Sequence, residues 1–235
     1  MTVLRQVLVV IVLVTSSVFG VLPSAEASPV VAGFDISYWQ GIPDFAAARA
    51  RGARFVFVQD TGGVGYVNPR FLQQFRAVKT AGLLRGAYHF ARPDKSGGAA
   101  QAAFLHSHNG KWFADGMTLP PTLDLEDARG AAPCYGLSVP AMVDWISDFS
   151  TELKRRTGHR PIIYTSTRWW KACTGNSGAF AANHVLWLAR YNARIGDIPG
   201  GWTASFWQSG VTGPLPGDQN SFFGSFAQLK RLTVS

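Results

Sequence analysis

Short apolar segments alternate with helical ones along the first two thirds of the chain, and this alternation restricts the fold more than any other feature. Val30 to Ser37 (VVAGFDIS), Arg54 to Gln59 (RFVFVQ), Leu84 to Phe90 (LRGAYHF), Pro121 to Glu126 (PTLDLE) and Pro161 to Ser166 have strand length and composition. Between them lie helical segments. Asp44 to Arg51 is alanine-rich and stops at Gly52, and Pro69 to Ala81 has proline near its start and Gly82 past its end. Gly98 to His108 follows, and then a long segment from Ser138 to about Arg156, capped by serine and closed by Gly158. Trp169 to Cys173 starts a brief fifth helix. Strands that alternate with helices form a parallel sheet with right-handed crossovers. Val185 to Ala189, Ser205 to Gln208 and a piece after Asn220 then read as strands without long helices between them. Eight strands suffice to close a barrel. The expected fold is therefore α/β, an irregular TIM-like barrel of eight strands and about five helices, with βα units first and plain strands last. An open doubly wound sheet is the alternative, but no glycine fingerprint follows the first strand. Asp60 to Gly65 reads as a glycine-rich loop.

The segment Pro121-Thr122-Leu123-Asp124-Leu125-Glu126 carries the sharpest chemical signal. In a strand, residues two apart share a face, with Cα atoms about 6.6 Å apart. Asp124 and Glu126 thus sit side by side, backed by Leu123 and Leu125. Adjacent carboxylates repel, which favours keeping one protonated. A protonated acid beside a carboxylate is what glycosidic cleavage requires. The bland alternative is two acids on the wet face of an antiparallel strand.

Barrel enzymes place their chemistry at the C-terminal ends of the strands. There the sequence puts Asp35 on strand one, Tyr88 and His89 on strand three, Asp124 and Glu126 on strand four and Tyr164 on strand five. Trp187 lies on strand six, and Trp207 and Gln208 on strand seven. The chain holds 8 tryptophans, and aromatic faces suit the apolar faces of sugar rings.

The N-terminus reads as an export signal over residues 1–27: Arg5, an apolar run from Val7 to Leu22, then Ala25-Glu26-Ala27. A membrane anchor is the rival, but Thr15, Ser16, Ser17 and Gly20 dilute the run and Pro23 ends it. The expectation is a secreted, extracellular protein without a stable membrane anchor, with residues 28–235 as one domain. In that setting Cys134 and Cys173 most economically form a disulfide, closing a loop of about 40 residues worth roughly 4 kcal/mol; free thiols are the alternative. No metal-ligand spacing appears, so neither a metal nor another cofactor is expected. His106 and His108 read as solvated. With 22 basic and 14 acidic residues the formal charge is +8. Such a protein is drawn to polyanions, with anionic wall polymers or phospholipid headgroups as the expected class. The basic residues are dispersed without a recognition motif, so no nucleic-acid partner is expected. No association helix stands out, and a monomer is expected.

Seven segments together resemble the glycoside hydrolase family 25 lysozymes, particularly the secreted actinobacterial type. Gly33-Phe34-Asp35-Ile36-Ser37-Tyr38-Trp39-Gln40-Gly41 is similar to the family's opening motif, Gly86-Ala87-Tyr88-His89-Phe90 to its G-A-Y-H-F strand, and Leu123-Asp124-Leu125-Glu126 to its D-x-E. Cys134-Tyr135-Gly136-Leu137-Ser138, Ile163-Tyr164-Thr165-Ser166, Trp169-Trp170 with Cys173-Thr174-Gly175, and Asp218-Gln219-Asn220-Ser221-Phe222-Phe223-Gly224 complete the series in the family's order.

The resemblance implies hydrolysis of the β-1,4 bond between N-acetylmuramic acid and N-acetylglucosamine in peptidoglycan, with retained configuration and the substrate's acetamido oxygen as nucleophile. It makes Glu126 the acid/base, Asp124 its partner, and Asp35 and Asp218 further acids of the groove. Tyr38, Trp39, Asp60, Tyr88, His89, Tyr164, Trp187, Trp207 and Gln208 are the expected substrate contacts. One departure stands out: Gln59-Asp60-Thr61-Gly62-Gly63 replaces the family's common K-A-T-E-G. It motivates two expectations, an altered pH optimum or subsite with Asp60 partly replacing the lost charge, or a barrel that binds peptidoglycan or chitin without cutting it; drift at a tolerant edge position is the bland alternative. A chitinase-like hydrolase fits poorly, because its D-x-x-D-x-D-x-E run would need acids where Leu119 and Thr122 stand.

Overall fold

A computed structural model describes residues 29–109 and 111–234. The segment read as an export signal lies outside the described residues. Nine strands form the sheet: β1 (Val30–Ile36), β2 (Phe55–Gly62), β3 (Tyr66–Val67), β4 (Leu84–Phe90), β5 (Thr122–Leu125), β6 (Ile162–Ser166), β7 (Leu186–Ala189), β8 (Ala204–Gly210) and β9 (Asp218–Phe223). Eight of them close in the order β1-β9-β8-β7-β6-β5-β4-β2, with β2 returning to pair with β1. The short β3 hangs antiparallel on the end of β2. Among the described residues there are six α-helices: α1 (Phe45–Ala50), α2 (Phe71–Thr80), α3 (Gly98–His108), α4 (Val139–Thr157), α5 (Thr167–Thr174) and α6 (Phe226–Arg231). The expected irregular α/β barrel is present.

The departures from expectation have local causes. The loop expected over residues 60–65 is instead the end of β2 and a hairpin. A bulge between Gln59 and Thr61 re-aims the strand, and Gly63 turns it at φ +54°. Strand β9 runs antiparallel to both β1 and β8, since no crossover helix separates it from β8. Helix α6 was not anticipated, although Ser225 and Gln228 form a capping box at its start.

Inside the barrel, Phe55, Phe57, Trp187 and Phe206 fill the core, with Phe57 stacked on Trp187 at 4.4 Å between centroids. Two motif glycines make room for them. A Cβ on Gly33 would come within 2.5 Å of Phe55, its register partner, and one on Gly86 within 2.4 Å of Phe57. Outside, Leu123 and Leu125 join the α3 and α4 side of the core with Phe149 and Leu153. Strand β5 is thus buried on both faces, which removes the reading of Asp124 and Glu126 as acids on a wet antiparallel strand; its neighbours β4 and β6 are parallel to it. Cys134 and Cys173 are joined in a disulfide. Among the described residues no helix is long and apolar enough to cross a membrane.

Candidate active site

Every strand of the closed barrel except β2 supplies a residue to one cleft at its mouth. Asp35 comes from β1, Tyr88 from β4, Asp124 from β5 with Glu126 just beyond it, Tyr164 from β6, Trp187 from β7, Gln208 from β8 and Asp218 from β9, with Tyr191 after β7. Because β9 is antiparallel, its first residue, Asp218, meets the last residues of the other strands, and it pairs in register with Asp35. Four carboxyl groups therefore converge with no lysine or arginine among the lining residues.

A hydrogen-bonded frame holds them. Asp35 Oδ1 accepts from Gln208 Nε2 at 2.8 Å and Asn220 Nδ2 at 2.6 Å. Gln208 Oε1 accepts the hydroxyls of Tyr164 at 2.8 Å and Tyr191 at 2.7 Å, while Asn220 Oδ1 accepts Trp187 Nε1 at 2.7 Å. These contacts fix both amide orientations, since each carbonyl meets donors and each NH₂ meets Asp35. Beyond β5, the Tyr135 hydroxyl donates to the Glu126 carbonyl at 2.7 Å. Cys134 and Tyr135 take left-handed φ values of 48° and 56°, and the disulfide anchors that turn to α5.

Burial without cations raises all four carboxyl pKa values. Asp35 reaches about 8 through desolvation, with Asp218 the main repelling charge. Glu126 reaches about 7, again by desolvation first and then Asp218 and Asp127. Asp124 is raised well above the usual carboxylate range by burial and by Glu126, and Asp218 is raised by desolvation. Asp124 Oδ1 is buried and meets no hydrogen-bond partner among the described residues.

Two grooves extend the cleft across the barrel mouth. On the β6–β7 side Glu126, Tyr164 and Tyr191 continue into a groove with Asp127, Arg168 and Trp169. On the β2–β4 side lies a more apolar groove of Tyr38, Trp39, Gln59, Gly62, Tyr66, Phe90 and Arg92. Trp39 is 84% exposed there.

Three expected contacts lie elsewhere. Asp60 is fully buried on the outer side of β2, where its carboxylate accepts Asn109 N at 3.1 Å and Asn109 Nδ2 at 3.2 Å; it cannot replace a lost groove charge. His89 faces the helices, between Thr61 Oγ1 at 2.8 Å and Gln101 Oε1 at 2.9 Å, with Phe149 beside it. Strand alternation sends Trp207 outward, where its Nε1 donates to Arg190 O at 2.8 Å and its ring stacks on Phe223. His106 and His108 are half-buried rather than solvated. Conversely, Tyr191 and Asn220 were missed. Asn220 shares the inward face of β9 with Asp218, a period-2 relation visible in the sequence; Tyr191 lies past its strand, where periodicity gives no direction. Among the described residues no group of three or more His, Cys, Asp or Glu is arranged to hold a metal ion.

Comparison with known proteins agrees with this geometry. The family described as Glycosyl hydrolases family 25 matches residues 34–218. The chain belongs to glycosyl hydrolase family 25. It is thus a glycosidase. It is 44% identical over 209 residues to the N,O-diacetylmuramidase of Chalaropsis sp., covering 87% of this chain and 99% of that protein. It is 40% identical to lysozyme M1 of Streptomyces globisporus, covering 86% and 71%. The structure of a muramidase from Trichobolus zukalii superposes with a TM-score of 0.84 at 47% identity, over 86% of this chain and 98% of that one. Similarity this even between sources does not single out the actinobacterial type.

Proposed function

We propose that this family 25 enzyme hydrolyses the β-1,4 bond between N-acetylmuramic acid and N-acetylglucosamine in peptidoglycan. The observation that carries the assignment of roles is the orphaned Oδ1 of Asp124 beside a Glu126 whose pKa lies near 7. A buried acceptor without a donor costs free energy until a ligand supplies one. The amide N–H of an N-acetyl group is a donor of the right kind, and accepting it favours the ionised form of Asp124.

Glu126, protonated at neutral pH and below, gives its proton to the glycosidic oxygen as the bond to the anomeric carbon breaks. The acetamido oxygen, oriented by Asp124, attacks that carbon and closes a cationic oxazoline ring. Water, losing a proton to Glu126, then attacks the anomeric carbon from the face the leaving group vacated and opens the ring, so configuration is retained and one water is consumed. Burial and the neighbouring Asp218 and Asp127 hold the proton on Glu126, and Asp35 adds a further buried acid to the cleft. Tyr88, Tyr164, Tyr191, Trp187 and Gln208 shape the central subsite, and Tyr38 and Trp39 extend it.

The protein is read as secreted through residues 1–27, acting as a monomer with residues 28–235 as a single domain. The disulfide supports an extracellular setting. The non-cutting alternative has little in its favour, since the substituted positions 59 and 62 lie in the flanking groove and the four carboxyls are all in the cleft. The deciding experiment is release of reducing ends from purified peptidoglycan. Binding to the polymer without release at any pH would reject hydrolysis, and a mass of two or more chains in sedimentation equilibrium would reject the monomer.

A further inference from the structure

The end of the barrel opposite the cleft has the reverse electrostatic character. The starts of β5, β6 and β7 and the C-terminal turns of α4 and α6 meet there around a concavity lined by Pro120, Lys154, His159, Arg160, His184 and Leu232. Arg160 is fixed in it: its Nη1 donates to Ser150 Oγ at 3.2 Å. Ser150 Oγ is in turn 2.7 Å from His184 Nε2, and His184 Nδ1 is 3.1 Å from the Phe180 carbonyl. The carbonyl requires a proton on Nδ1, and burial keeps the ring neutral by lowering its pKa to about 4, so Nε2 accepts the serine hydroxyl. The serine oxygen is thereby left to accept from Arg160.

Among the described residues neither Arg160 nor Lys154 is paired with a carboxylate. Further cations adjoin them. Trp112 packs on His159 with centroids 3.8 Å apart, which brings Lys111 to the same rim. Lys111, Arg155 and Arg156 all act electrostatically on His106. Glu152, bound to Arg155 at 2.7 Å and Arg156 at 2.5 Å, is the carboxylate that offsets them. Cations in the last turn of α4 complement its dipole, but Lys111 and Arg160 lie off that helix and have no such reason to be there.

We propose that this basic end binds a phosphate-rich polyanion of the bacterial wall, a poly(alditol phosphate). Arg160 and Lys154 receive one phosphate in the concavity, and Lys111, Arg155 and Arg156 receive its neighbours along the chain. The choice of a wall polymer rests on the peptidoglycan reading above; the phosphate chemistry rests on the cations themselves. Charge also sorts the two ends. The cleft holds Asp35, Asp124, Glu126 and Asp218 and no lysine or arginine, so it offers a polyanion no cation to bind, and the tethered enzyme keeps its cleft open to uncharged glycan.

The test is titration calorimetry of the purified protein with poly(glycerol phosphate), with inorganic phosphate and with phosphatidylglycerol vesicles, at two salt concentrations. Wild type is expected to bind the polymer, more weakly at high salt. Lys154→Gln with Arg160→Gln, and separately Lys111→Gln with Lys154→Gln, should each weaken it about tenfold or more, the loss of one or two charge-assisted contacts. The second pair leaves the Ser150 contact intact and should melt as wild type does. Hydrolysis of polymer-free peptidoglycan should be unchanged in both. Unaltered affinity in the Lys111/Lys154 variant, no polymer binding by wild type, or binding of vesicles in place of polymer would each overturn the proposal. Polymer binding without peptidoglycan hydrolysis would overturn the function and leave this surface standing.

Discussion

Gln208 and Asp35, 173 positions apart in sequence, are joined by a 2.8 Å hydrogen bond across the barrel mouth. The same amide collects the hydroxyls of Tyr164 and Tyr191 on its oxygen. It therefore couples a carboxyl on β1 to the aromatic wall on the opposite side. Gln208→Leu should remove this link, free both hydroxyls and lower kcat/KM by about ten- to a hundredfold, on the scale of one or two lost buried hydrogen bonds. An unchanged kcat/KM in a folded variant would show that the frame has no part in catalysis.

Glu126→Gln removes the proton donor while keeping shape. Release of reducing ends should fall about 10²–10⁴-fold, with little change in melting temperature. Retention of most of the activity would assign the acid to another carboxyl.

The pH profile has a sign. Glu126 acts protonated and has a pKa of about 7, so activity should decline as pH rises through 7. Asp218 is the largest charge holding that value up. Asp218→Asn should therefore move the alkaline limb of kcat/KM to lower pH, and Gln59→Lys, by adding a cation to the adjoining groove, should move it the same way. A limb that stays in place in both would remove Glu126 as its source. Substrate preference measured on the double variant Gln59→Lys with Gly62→Glu tests the flanking groove itself.

Most of the architecture could be read before the structure. Strand and helix periods located β4 and α3 to the residue, and the D-x-E alternation correctly put Leu123 and Leu125 on the face opposite the acids, which the structure turns toward the helices. What escaped depended on long-range geometry. Nothing local distinguishes Gln59, which faces the groove, from Asp60, which faces Asn109, because a bulge resets the alternation at that point. His89 and Trp207 follow the period-2 rule outward, but the placement of every strand-end residue in the site overrode it. The direction of β9 depended on the missing crossover, and with it the meeting of Asp218 with Asp35.

Stability should also fall with rising pH in the window set by these acids. A carboxyl with a raised folded-state pKa binds more protons folded than unfolded, so its contribution is present below the unfolded value near 4 and is lost as pH rises through the folded value. His89 and His184, both lowered to about 4 by burial, oppose this only up to their unfolded value near 6.5. Between pH 6.5 and 8 the raised acids of the cleft act unopposed by these histidines, Asp35 with a folded value of about 8 and Glu126 of about 7 beside a raised Asp124. Melting temperature should thus drop across that interval. Asp35→Asn keeps an oxygen for Gln208 and Asn220 to donate to and cannot ionise, so it should flatten the drop and melt above wild type at pH 8 while differing less at pH 5. Parallel curves for the two proteins would mean that Asp35 titrates as an ordinary exposed acid, and that the acidic cleft holds its protons elsewhere.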